Sequence, residues 1–164
     1  MRHQNCTRKP CSDPHYNRLG QNSDADATNR ERPGARGGPK VRILIVEDSP
    51  LIRTMYGLAI SKREHELVLA NDGREALDLL AKGPEVHLIL LDLRMPDMNG
   101  VEFLRELRKS PTLADTKVII TTAEPSTSDM VLDAKALGVA AVVFKPWKPQ
   151  DLKKTVDQFL HSAA

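Results

Sequence analysis

The 164 residues suit one compact domain, and with 40% hydrophobic and 28% charged residues the chain reads as an ordinary soluble globular protein. The net charge of +2 hides a division: residues 1–40 hold eight basic and four acidic side chains, the remainder sixteen and eighteen, so the excess of positive charge sits in the N-terminal stretch and argues against a nucleic-acid-binding face on the folded part. No apolar run reaches the roughly 18–20 residues of a membrane span, and the polar N-terminus lacks the apolar segment of a secretory signal, so a cytoplasmic location without a membrane span is expected.

Residues 1–40 contain almost no large apolar side chains and end in Arg32-Pro33-Gly34-Ala35-Arg36-Gly37-Gly38-Pro39. Such a segment cannot bury enough surface to offset its ordering entropy, so a disordered polar and basic tail is expected, followed by one domain over 41–164. Both cysteines, Cys6 and Cys11, lie in this tail, and the domain therefore depends on no disulfide. With His3 and His15 they loosely suggest a metal site, but the spacing matches no zinc motif.

The pattern changes at Val41. Five short apolar runs follow, at Val41–Val46, Leu67–Ala70, Val86–Leu91, Val118–Thr121 and Ala140–Phe144. They are near-continuous rather than alternating, as strands of a parallel sheet covered on both faces are. Helical stripes lie between and after them: Leu51, Met55, Leu58 and Ala59; Ala76, Leu77 and Leu80; Val101, Leu104, Leu107 and Arg108; Met130, Ala134 and Leu137; Leu152, Val156, Phe159 and Leu160. Pro50 and Pro149 suit first-turn helix positions, and Gly138 suits a helix C-terminus. The reading is an α/β chain, (βα)5, with a doubly wound five-stranded parallel sheet.

In such folds the functional site forms at the carboxyl ends of the strands. There the sequence places Glu47 and Asp48 after the first strand, Asp92 after the third, Thr121 and Thr122 after the fourth and Lys145 after the fifth. Three converging carboxylates repel unless one takes a proton or a cation intervenes. Their hard oxygens suit Mg²⁺ or Mn²⁺, with coordination positions left for phosphate oxygens. Lys145 and Thr122 supply a fixed charge and a hydroxyl that can meet a transferring phosphoryl group. Taken singly, each residue has a plain explanation: Asp48 or Ser49 can simply cap the Pro50 helix, and Lys145 can be surface charge. Their order at successive strand ends is what points to a site.

These stretches resemble the receiver domain of two-component response regulators. The match is carried by Ile45-Val46-Glu47-Asp48-Ser49, by Leu90 to Gly100 around Asp92, by Ile120-Thr121-Thr122-Ala123-Glu124 and by Val143-Phe144-Lys145-Pro146, and it covers about residues 41–161. The resemblance implies the flavodoxin-like strand order 2-1-3-4-5 and a Mg²⁺-dependent phosphoacceptor at Asp92. It implies metal ligation by Asp48, Asp92 and the backbone carbonyl of Arg94, with Glu47 assisting, and phosphoryl contacts from Lys145 and the switch hydroxyl of Thr122. The partners it implies are a histidine kinase or phosphotransfer protein as donor, and a downstream protein bound through the 126–160 face. Output through a separate partner is expected, since no output domain follows in the sequence. Beyond Mg²⁺-dependent self-phosphorylation and dephosphorylation, no enzymatic activity is expected. One departure stands out: Val142 occupies the position where the family often has an aromatic switch residue. Arg94 and Glu124 lie two positions beyond site residues, where the family tunes phosphoryl lifetime. Trp147 reads equally as partner-binding surface or as a cover for the core.

Other classes fit less well. An aspartyl-nucleophile phosphatase would carry a second acid where Arg94 stands, and a nucleotide-binding enzyme would show a glycine-rich loop after Val46 or Leu91. A phosphorylation-independent interaction module, or a regulator of a sensor kinase, is the remaining alternative. From the tail reading, a chain lacking residues 1–40 is expected to keep its melting temperature and its Mg²⁺-dependent labelling. Thermal denaturation and phosphodonor labelling check this, and a large loss of either would make the tail part of the fold.

Overall fold

The computed structural model describes residues 40–60, 64–83 and 85–161. Residues 1–39, with His3, Cys6, Cys11 and His15, lie outside the described residues. The elements alternate strictly: β1 (Val41–Val46), α1 (Pro50–Ala59), β2 (His65–Ala70), α2 (Gly73–Lys82), β3 (Leu88–Leu91), α3 (Gly100–Lys109), β4 (Lys117–Thr122), α4 (Asp129–Ala136), β5 (Ala141–Phe144) and α5 (Pro149–His161). The strands form one parallel sheet in the order β2-β1-β3-β4-β5, as expected.

Alternation of side chains along each strand divides the core in two. Leu44 and Val46 of β1, Ile89 and Leu91 of β3, and Val118 and Ile120 of β4 point to one face, where Ala76, Phe103, Leu104, Leu107, Val131 and Ala134 of α2, α3 and α4 cover them. Ile43 and Ile45, Leu88 and Leu90, and Ile119 point to the other face, under Tyr56 and Ala59 of α1 and Leu152 and Val156 of α5. Both faces being apolar is why the runs in the sequence are continuous.

The helix starts follow local chemistry. Ser49 caps α1 with its side chain accepting from the Ile52 N–H, and Pro50 takes the first helical position. Asp72 caps α2, Asn99 and Glu102 form a reciprocal capping box on α3, and Ser128 caps α4. The fourth helix begins at Asp129, because Ser128 takes the cap and the preceding residues form a turn closed by the Ser128 N–H on the Pro125 carbonyl. Gly138 follows α4 at φ +75°, the left-handed conformation expected of a terminating glycine.

Strand boundaries differ from expectation at polar residues. β2 starts two residues early, at His65 and Glu66, where pairing with Val41 and Arg42 and an Arg42–Glu66 ion pair at 3.0 Å replace apolar burial. β3 starts two residues late because the His87 side chain intervenes: its Nδ1 accepts from the Arg42 N–H at 3.1 Å. Arg108 lies on the inner stripe of α3 without being apolar. Its guanidinium donates to the carbonyls of Ala114, Thr116, Leu137 and Gly138, tying α3 to the turn before β4 and to the end of α4. Among the described residues, no helix is long and apolar enough to cross a membrane.

The first residue of α3 lies against the end of β3. A Cβ built at Gly100 would fall on the Asp92 carbonyl oxygen and 2.8 Å from the Leu93 Cα, backbone atoms that cannot turn aside. Gly100→Ala is therefore expected to lower stability by about 1–3 kcal/mol and to displace Asp92. A shift of the urea midpoint at unchanged slope checks it.

Candidate functional site

The order 2-1-3-4-5 sends the connections from β1 and β3 in opposite directions, leaving a crevice between their carboxyl ends. Glu47, Asp92 and Lys145 each stand one step past their strand, held by one further rung of the ladder. The Glu47 N–H donates to the Ala70 carbonyl at 3.1 Å, the Asp92 N–H to Val46 at 3.0 Å and the Lys145 N–H to Thr122 at 2.7 Å. The sheet thus fixes the backbone of three charged residues from three strands, and Asp48 follows Glu47 at the same edge.

The side chains converge. The Lys145 Nζ donates to Glu47 Oε2 at 2.7 Å and to Asp92 Oδ2 at 2.7 Å. Glu47 and Asp92 are almost fully buried, while Asp48 is exposed. Burial pushes the Glu47 carboxyl above the usual carboxylate range; the Lys145 ammonium opposes that push and the Asp92 charge adds to it. For Lys145, burial alone would lower its pKa, but its bonds to Asp92 and Glu47 outweigh burial and leave it raised and charged.

Glu47, Asp48 and Asp92 each offer a carboxylate oxygen, and the three oxygens lie within 4.8 Å of one another. The oxygens of an octahedral Mg²⁺ shell stand about 3 to 4.2 Å apart, so modest closure would fit them to one ion. The donor set is all oxygen, and the buried Glu47 carboxyl that burial disfavours as an anion is a group a cation would stabilise. The residues fit a hard divalent ion.

A family model described as the response regulator receiver domain matches residues 43–157. The chain belongs to this family. It is similar to a chemotaxis protein CheY homolog of Campylobacter jejuni, 33% identical over 73% of this chain and 92% of that protein. Among solved structures it resembles the phosphorylated cyanobacterial phytochrome response regulator RcpA, at 28% identity and a TM-score of 0.68 over 76% of this chain and 97% of that one. It also resembles the Mn²⁺-bound form of response regulator Rcp1, at 31% identity and a TM-score of 0.62 over 72% of this chain and 90% of that one. The chain is a response regulator receiver domain of the CheY type, and its acidic pocket is of the kind that takes a divalent metal.

Not every residue of interest joins the charged cluster of the receiver. Thr122 is fully buried at the same edge, with its hydroxyl turned to accept from the Glu124 N–H at 3.1 Å. The Arg94 N–H donates to Asp92 Oδ1 at 3.2 Å, and the Arg94 side chain forms an ion pair with Glu124 across the mouth of the site. Arg94 and Glu124 are thus bonded to each other. Their sequence separation gave no sign of this contact.

Two residues, Tyr56 and Arg53, escaped the sequence reading, and a third, Trp147, was open between two roles. Tyr56 is completely buried, and its hydroxyl forms a hydrogen bond with the hydroxyl of Thr121, the residue before Thr122. Burial raises the Tyr56 pKa and keeps the phenol neutral. Trp147 is 8% exposed and lies against Tyr56 with ring centroids 5.1 Å apart, which settles its two readings in favour of the core. Arg53 donates to the backbone carbonyls of Glu47 and Asp48. A signal for Arg53 existed: a cation within about one turn of a helix start opposes the helix dipole and asks for a compensating partner.

The raised Glu47 pKa sets a pH dependence in metal-free receiver. The native state holds the proton more tightly than the unfolded chain, so stability falls as pH rises from the ordinary value of 4.5 through the raised one. Lys145→Met removes the hydrogen bond and the charge that do most to lower the Glu47 pKa, leaving the Ser49 N–H. It is expected to carry that loss to higher pH, with carboxyl NMR in EDTA showing Glu47 titrating later than in the wild type.

Proposed function

We propose that this receiver accepts a phosphoryl group on Asp92 from a histidine kinase or phosphotransfer protein, and that phosphorylation changes its affinity for a separate protein partner. The observation that carries this reading is the convergence of three carboxylate oxygens within 4.8 Å, with the Lys145 ammonium 2.7 Å from two of those carboxylates. Structural groups need no such collection of like charges.

By family analogy, Asp48 and Asp92 would hold Mg²⁺ or Mn²⁺ with the backbone carbonyl of Arg94, and Glu47 would assist. The ion supplies charge neutralisation at the phosphoryl oxygens. The chain's own residues do the rest. An Asp92 Oδ attacks phosphorus, forming the O–P bond as the bond to the donor imidazole nitrogen breaks and its electron pair returns to the ring. The acyl phosphate no longer presents the Asp92 anion to Lys145, whose ammonium turns to a phosphoryl oxygen. The Thr122 hydroxyl leaves the Glu124 N–H for another phosphoryl oxygen, and the segment that follows moves with it.

The responding surface is the 126–160 face, with Leu132 of α4 and Phe144 of β5 half exposed upon it. Val142 provides no ring to swing, so the response runs through shifts of the β4–α4 loop and α4 rather than through an aromatic rotamer. Output is then a population shift between two conformations. Arg94 and Glu124, already paired across the mouth, are the residues through which phosphoryl lifetime is set.

Incubation with a small phosphodonor and Mg²⁺ is expected to add one phosphoryl group by intact mass. Asp92→Asn and EDTA each abolish the gain. An Asp92→Asn protein that labels as well as the wild type would remove the assignment.

A further inference from the structure

Arg53 lies one turn into α1, five residues beyond Asp48. A guanidinium there faces the positive end of the helix and must be held by something stronger than the dipole's opposition. Its Nη1 donates to the Glu47 carbonyl at 2.6 Å and to the Asp48 carbonyl at 3.1 Å. These carbonyls lie past the last pairing of β1 with β2 and β3. They belong to the two residues that supply two of the three clustered carboxylates.

The two acids are held differently. The Glu47 carboxylate is bonded to Lys145 and accepts from the Ser49 N–H at 3.4 Å. The Asp48 carboxylate is exposed and takes no hydrogen bond or ion pair among the described residues. Its direction depends on the peptide planes on either side of its Cα, and Arg53 is bonded to both carbonyls of those planes. Charge-assisted bonds from a guanidinium are the strong kind, and its planar head is pre-organised for two acceptors.

We propose that Arg53 is a positioning residue for the divalent-cation site, aiming the Asp48 carboxylate by clamping the backbone that carries it. This rests on the metal reading given above. Arg53 touches no carboxylate of the cluster and acts through the main chain, as the outer partners of metal ligands do.

Positioning and simple electrostatics predict opposite signs. Removing a cation near an acidic cluster strengthens its attraction for Mg²⁺, whereas removing the clamp frees Asp48 and weakens binding. Calorimetric titration of the full chain with MgCl₂ reads the difference, alongside melting temperatures in EDTA. The wild type is expected to bind Mg²⁺, and Arg53→Met to bind it about tenfold or more weakly. No Mg²⁺ binding by the wild type would overturn the metal reading and this proposal with it. Wild-type binding with Arg53→Met within about twofold of it, or tighter, would overturn the positioning role alone. A purely structural role lowers the melting temperature in EDTA and leaves the affinity unchanged, which also counts against the proposal. If Arg53→Met does not fold, Arg53→Gln is judged by the same change in affinity.

Discussion

One ammonium between two buried carboxylates organises this molecule. Lys145 reaches Glu47 and Asp92 at equal distance, and those three residues come from the ends of three different strands. The contact is favourable only because burial makes each of the charges expensive alone. It is incomplete even so: one cation faces two buried anions and an exposed third, and Glu47 is left reluctant to ionise. The edge of the sheet is electrostatically unfinished, and a divalent ion or a phosphoryl group alters its balance directly.

The rest of the fold serves that contact. Two apolar layers clamp the sheet from both sides, so the strand ends cannot drift. The extra ladder rungs at Glu47, Asp92 and Lys145 fix backbone, not side chain, and leave the charged groups free to change partners. The β3–α3 loop returns tightly enough that the Gly100 N–H bonds the Leu93 carbonyl at 3.0 Å, which packs the start of α3 against the end of β3. Thr122 and Arg94 show the same division of labour. Their backbones are anchored at the site, while the Thr122 hydroxyl and the Arg94 guanidinium are both occupied by Glu124.

Much of this could be read from the residues. Continuous apolar runs revealed a sheet buried on both faces, and Glu47, Asp48, Asp92, Thr122 and Lys145 were legible because strand direction dictates which end receives them. Boundaries were harder where polar residues do structural work, as at His65, Glu66 and His87, since pairing there is secured by ion pairs and side-chain bonds that leave no periodic trace. Contacts between distant segments were illegible. The Tyr56–Thr121 bond joins residues 65 positions apart, and the Arg94–Glu124 pair joins residues 30 apart. Periodicity identifies which face a residue occupies, not which neighbour it meets there. Trp147 had two readings for that reason, and only packing against Tyr56 decided between them.

The packing of Trp147 has an optical consequence. It is the single tryptophan of the chain, two residues from Lys145, screened from water and in contact with a neutral phenol. Its emission therefore comes from one place, the joint between β5 and α5, with no second indole to blur it. The chain carries its own chromophore where the strand that bears Lys145 gives way to α5, so a rearrangement of that joint can be followed by light without attaching a dye.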